Sequence, residues 1–194
     1  GIRAKNMEQR FALEALADDT IPLVCLSGPA GSGKTLTAIA VGLEKINLGV
    51  YDRIIVMKPM IAVGGKDIGF LPGSKLEKVS AWLGPIKDNI IQLTGMAGKD
   101  DKKSGFGGNS FEDMIEEGII EVEAMAFIQG RSIPNSFIIL DEAENVSPKE
   151  ARMVVERCGK DSKVVLLGDM SQIENPYLDK HSCGLAHAIN GGKT

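Results

Sequence analysis

Four short apolar runs punctuate the chain, at residues 21–26 (IPLVCL), 53–57 (RIIVM), 137–140 (FIIL) and 164–167 (VVLL). Continuous apolar strands separated by helical stretches argue for a mainly parallel sheet covered on both faces, hence an α/β fold. A fifth segment, 119–124 (IIEVEA), alternates like a strand. Helical patterning fills much of the space between. Residues 6–17 set Met7, Phe11 and Leu16 among strong helix formers, as an amphipathic helix would. Residues 35–48 carry helical periodicity up to Gly49, a C-terminal stop. Lys75 to Leu93 reads as a helix broken or kinked at Gly84-Pro85, and residues 147–158 open with Ser147-Pro148 at the N-cap and first helical positions. Residues 95–110 (GMAGKDDKKSGFGGNS) lack apolar periodicity and are expected to form a loop, either merely solvated or contacting a partner or polymer. No internal repeat is present.

Composition narrows this picture. With 194 residues, 43% of them hydrophobic, one sizeable core and a single domain over 1–194 are expected. The formal charge of −4 gives the whole chain no footprint for gripping a phosphate polymer, so any nucleic-acid surface must be local. Cys25, Cys158 and Cys183 are odd in number and lack paired-ligand spacing, which argues against a disulfide framework or a zinc site. His181 and His187 have no metal-binding context. No membrane-spanning run or leader is visible, and the expected location is cytoplasmic. The start at Gly1 rather than Met points to a tag scar or an excision from a longer protein.

Three motifs carry chemistry. Gly28-Pro29-Ala30-Gly31-Ser32-Gly33-Lys34-Thr35 fits G-x-x-x-x-G-K-[ST] between an expected strand and an expected helix that continues with Leu36. Its glycines let successive N–H groups point at phosphate oxygens. Lys34 would meet the β- and γ-phosphates of a nucleotide, and the Thr35 hydroxyl would ligate Mg²⁺. The second motif, Phe137 to Glu144, runs an apolar strand straight into Asp141 and Glu142. Asp141 is expected to hold Mg²⁺ and Glu142 to orient or deprotonate the attacking water. Glu144 is one carboxylate too many and is assigned to the surface. The third motif ends a strand in Gly168-Asp169-Met170-Ser171-Gln172, where Gln172 would donate to a γ-phosphate or to the attacking water.

These blocks resemble helicase motifs I, II and III of superfamily 1, and more closely those of the PhoH-like proteins. Lys58-Pro59, Val63-Gly64, Asp67 to Gly73, Gly118 to Glu123, Gly130-Arg131-Ser132 leading into Asn135, and Ser182 to Ala188 extend the resemblance over nearly the whole chain. It implies a three-layer RecA-like ATPase core using ATP and Mg²⁺, often a homo-oligomeric ring, with an RNA-directed or helicase-like role. Residues 175–179 (NPYLD) look more like the branch in which a PIN nuclease precedes the ATPase, although no nuclease residues are present here. The resemblance also lets Gln9 be read as an adenine-contacting glutamine; by residue type alone it is a surface helix residue.

Two departures stand out. Superfamily 1 helicases close the site with arginines of a second RecA-like domain, for which this chain has no room, so an arginine must come from elsewhere. Arg131 is the candidate for reaching a neighbouring subunit's nucleotide; the competing reading is an arginine that fixes its own loop. The family also normally continues with a helix and a final strand beyond Gly184-Leu185, whereas this sequence stops at Thr194. Lys58, Lys66 and Lys75 are candidates for phosphate contacts with single-stranded RNA or DNA. Trp82, Phe70 and Phe106 are candidates for base stacking, with core packing competing for Trp82 and Phe70. Two other readings remain open. A P-loop kinase would want clustered lid arginines, but Arg3, Arg10, Arg53, Arg131, Arg152 and Arg157 are scattered. A nucleotide-controlled assembly module would not need Glu142.

Overall fold

The apolar runs become a single sheet in the computed structural model, which describes residues 3–59, 84–93, 111–128, 130 and 132–191. The strands are β1 (Leu23–Ser27), β2 (Arg53–Lys58), β3 (Ile120–Ala124), β4 (Ser136–Leu140) and β5 (Lys163–Gly168), in the order β1-β5-β4-β2-β3. Every pairing is parallel. The helices are α1 (Met7–Ala17), α2 (Lys34–Asn47), α3 (residues 84–93), α4 (Phe111–Glu116), α5 (Pro148–Arg157) and α6 (Gly184–Ile189).

Alternation along the strands feeds two cores. Ile54, Val56, Phe137, Ile139, Val165 and Leu167 face one side, where Leu16, Ile39, Ile86 and Met114 of four helices cover them. Ile55, Met57, Ile138, Leu140, Val164 and Leu166 face the other, beneath Ala151, Val154 and Leu185 of α5 and α6. A sheet buried on both faces needs apolar residues at consecutive positions, which is why β4 is buried at all five. Each such side chain contributes roughly 1.5–3 kcal/mol when fully buried. Close approach of α2 depends on Gly42, since a Cβ there would lie 2.9 Å from Ile54 Cδ1 and 3.0 Å from Phe137 Cδ1. The result is the three-layer α/β architecture of a RecA-like P-loop fold.

Local signals set several boundaries. Ser147 caps α5 in a reciprocal capping box with Glu150, with Pro148 in the first turn. After α2 the chain turns at Gly49, whose φ is 71°. The expected face of α1 is corrected: Leu16 is buried, but Met7 and Phe11 are exposed. At about 100° per residue, position 16 lies opposite position 7 on a helix, so the three never shared a face. The C-terminus of α1 is held instead by Lys163 of β5, buried in the sheet, whose Nζ donates to the carbonyls of Ala15, Leu16 and Asp18 at 3.0, 2.8 and 2.7 Å.

The expected segments Lys75 to residue 83 and 95–110 lie outside the described residues, as do Lys66, Phe70, Trp82, Phe106 and Arg131. Among the described residues no helix is long and apolar enough to cross a membrane.

Candidate functional site

At the C-terminal edge of the sheet, β1 gives way to the loop Gly28–Gly33 and then to α2. Gly31 and Gly33 have φ of 74° and 85°, in the left-handed region that glycine enters without steric cost. No side chain caps α2 at Gly33, so its first-turn N–H groups are left for another acceptor, the arrangement that suits an anion. Lys34 Nζ donates to the carbonyls of Gly28 and Pro29 at 2.6 and 3.0 Å, which folds the ammonium over the loop. Neighbouring elements hold this loop in place. Gly28 N–H donates to Gly168 O at 3.1 Å, and Ala30 N–H to Asp169 Oδ2 at 3.0 Å. From the other side, Gln9 Nε2 donates to Ser32 O at 3.1 Å.

Two strands away, β4 ends at Asp141 and Glu142. The Asp141 N–H still donates to Met57 O of β2 at 2.9 Å, so this residue continues the ladder. Its Oδ2 accepts from Thr35 Oγ1 at 3.3 Å, which brings the glycine loop and the acidic strand end into contact. Burial raises the Asp141 carboxyl above its ordinary pKa; the Lys58 ammonium opposes that rise and the Glu142 carboxylate adds to it. Glu142 adopts φ 57° and ψ 38°, a left-handed conformation that costs a non-glycine residue roughly 1–2 kcal/mol. This turn reverses the chain into the 3₁₀ turn Ala143–Asn145. Glu142 Oε1 accepts from Lys58 Nζ at 2.8 Å, and the same ammonium lies 3.9 Å from Asp141 Oδ2.

Glu144 is a correction to the sequence reading. It is 4% exposed rather than on the surface, with one carboxylate oxygen lacking a hydrogen-bond partner. The 3₁₀ turn folds it back against β5, where Gly168 is the only residue small enough to accept it: an added Cβ would collide with Glu144 Oε2. Burial pushes this carboxyl up to about 7, against the pull of the backbone N–H groups of Glu144 and Asp169. Asp169 behaves oppositely. The Ser171 hydroxyl and N–H, assisted by Ala30 N–H and Lys34, hold it below its ordinary value.

Lys34, Thr35, Leu36, Asp141, Glu142 and Gln172 line one cleft of ≈ 270 Å³ together with Ala30, Gly31 and Gly33. Gln9 does not line it but grips the loop behind it. Sequence reasoning missed Asn89 of α3 on the cleft wall, the buried Glu144 and the seating role of Asp169. Asn89 carries no local signal; Asp169 stood next to Gly168 at an apolar strand end and was readable as more than a turn residue. Among the described residues no arginine lines the cleft. Arg10 pairs with Glu14, Arg53 with Glu121 and Arg152 with Glu156.

A glycine-rich loop between a parallel strand and a helix, facing an acidic strand end, defines a P-loop, ATPase-like nucleotide-binding domain. The profile of the family described as PhoH-like protein matches residues 1–193, and the chain belongs to that family. It is 47% identical over 192 residues to Protein PhoH2 of Bacillus subtilis, covering 97% of this chain and 41% of that protein. It is 35% identical over 190 residues to Protein PhoH2 of Mycolicibacterium smegmatis, covering 97% and 40%. A PhoH-like protein of Synechocystis is 32% identical over 188 residues, covering 97% and 53%. The chain thus spans about half the length, or less, of the curated relatives it matches.

Proposed function

We propose that this chain binds Mg-ATP in the cleft and hydrolyses it. The observation that carries this reading is the 3.3 Å contact between Thr35 Oγ1 and Asp141 Oδ2 beside Lys34. A hydroxyl and a carboxylate form the hard oxygen set that suits Mg²⁺, so Thr35 and Asp141 would hold it. Bound there, the ion would neutralise charge on the β- and γ-phosphates. Gly28, Pro29, Ala30, Gly31, Ser32, Gly33 and Leu36 form the phosphate cradle and its helix start, with Lys34 pairing the phosphate oxygens. Gln9 contacts adenine from α1. Glu142 accepts the proton of the attacking water, and Gln172 senses the γ-phosphate.

Catalysis is completed by an arginine from another subunit, with Arg131 the candidate, in a homo-oligomeric ring acting on single-stranded RNA or DNA in the cytoplasm. Support for the shared site is the cleft wall, which carries no arginine among its described residues. A fused or partnering nuclease domain fits the relatives' greater length. Released phosphate should fall about 10²- to 10⁴-fold in Glu142→Gln, with ATP affinity retained. Unchanged hydrolysis would remove Glu142 from the mechanism, and phosphate passed to an acceptor instead of water would indicate a kinase.

A further inference from the structure

Lys58 is the last residue of β2 and meets the acidic end of β4 across the sheet. Its ammonium donates to Glu142 Oε1 at 2.8 Å, the length of a charge-assisted hydrogen bond, and its side chain is only 13% exposed. The direction of this contact matters more than its strength. In the order β1-β5-β4-β2-β3, the glycine loop follows β1, two strands to one side of β4, and Lys58 ends the strand on the other side. Lys58 reaches Glu142 Oε1 from that side, while Glu142 still lines the cleft with Lys34 and Thr35. A general base must come within hydrogen-bond reach of the water it deprotonates.

We propose that Lys58 is a positioning residue that acts as a brake, keeping Glu142 Oε1 engaged until a phosphate group competes for its ammonium. This rests on Glu142 being the base. Lys58 stands at the C-terminal edge of the sheet, where open α/β folds meet their ligands. Opening the pair frees Glu142 Oε1 within the cleft that the residue lines. No bond is made or broken in this step; an ammonium exchanges one anion for another.

The test compares the full chain with Lys58→Met and Lys58→Arg, each also in a Glu142→Gln background. ADP formation is followed with no addition, with poly(U), and with inorganic phosphate at the same phosphate concentration. Lys58→Met should raise unstimulated kcat about five-fold, the factor equivalent to an ordinary ion pair, with KM for ATP unchanged. It should lose stimulation by whichever phosphate source activates wild type, whereas Lys58→Arg should keep both the low rate and the stimulation. The gain must vanish in Glu142→Gln, which separates it from a general change in the fold. A Lys58→Met kcat at or below wild type, equal stimulation of both proteins, or a wild type that neither source stimulates overturns the brake. Absence of hydrolysis in both wild type and Lys58→Met overturns the ATPase reading itself.

Discussion

Glu144 places a carboxyl that is 4% exposed against Gly168, with one oxygen that no donor reaches. Its ordinary value is 4.5 and in the fold it stands at about 7, so over that window the folded chain binds more protons than the unfolded one. Stability from this group is therefore full below 4.5 and declines as pH rises through about 7. Glu144→Gln removes the titration and keeps the shape. In thermal melts, the variant should gain on wild type at pH 8 relative to pH 5; parallel pH profiles would refute the assignment. Nothing local betrays this burial. The residue sits one position beyond Ala143 in a run of carboxylates, and only the left-handed turn at Glu142 aims it inward.

Among the elements, α1 shows where pattern reading succeeds and where it fails. Its extent was readable because helix formers run to Ala17, and Asn6 caps it by accepting from Gln9 N–H. Its buried face was not readable from apolar identity alone, since Met7 and Phe11 point to solvent. What fixes α1 is Lys163, whose three carbonyl acceptors satisfy the helix end. Lys163→Met should cost about 2 kcal/mol in denaturant unfolding, because charged hydrogen bonds are lost and the Leu16 carbonyl stays buried. The same change should weaken ATP binding if α1 presents Gln9 as proposed; affinity measured on the folded variant decides this. Strands β4 and β5 were legible because apolar runs ended in chemically distinct residues. The Lys58–Glu142 pair was not, because it depends on β2 lying next to β4, and neither strand's sequence names its neighbour.

At the scale of the whole molecule, residues of α2, α3 and β5 and of the segments that follow β1, β4 and β5 converge on one cleft. A ligand that binds only this assembled state stabilises it by mass action. At a hundredfold excess over its Kd, Mg-ATP should add about 2.7 kcal/mol. For a chain of this size that raises Tm by roughly 5–10 °C. Lys34→Ala should show no such rise in the same melts, and an equal rise in both would place the nucleotide elsewhere.

The pairing of β1 with β5, Leu23 beside Val164, has a further consequence. The Gly28–Thr35 segment is made more than a hundred residues before the Gly168 carbonyl and Asp169 carboxylate that seat its loop. A nascent chain carries the phosphate-binding sequence long before it owns a phosphate-binding site. ATP binding through this loop therefore waits on the pairing of β1 with β5.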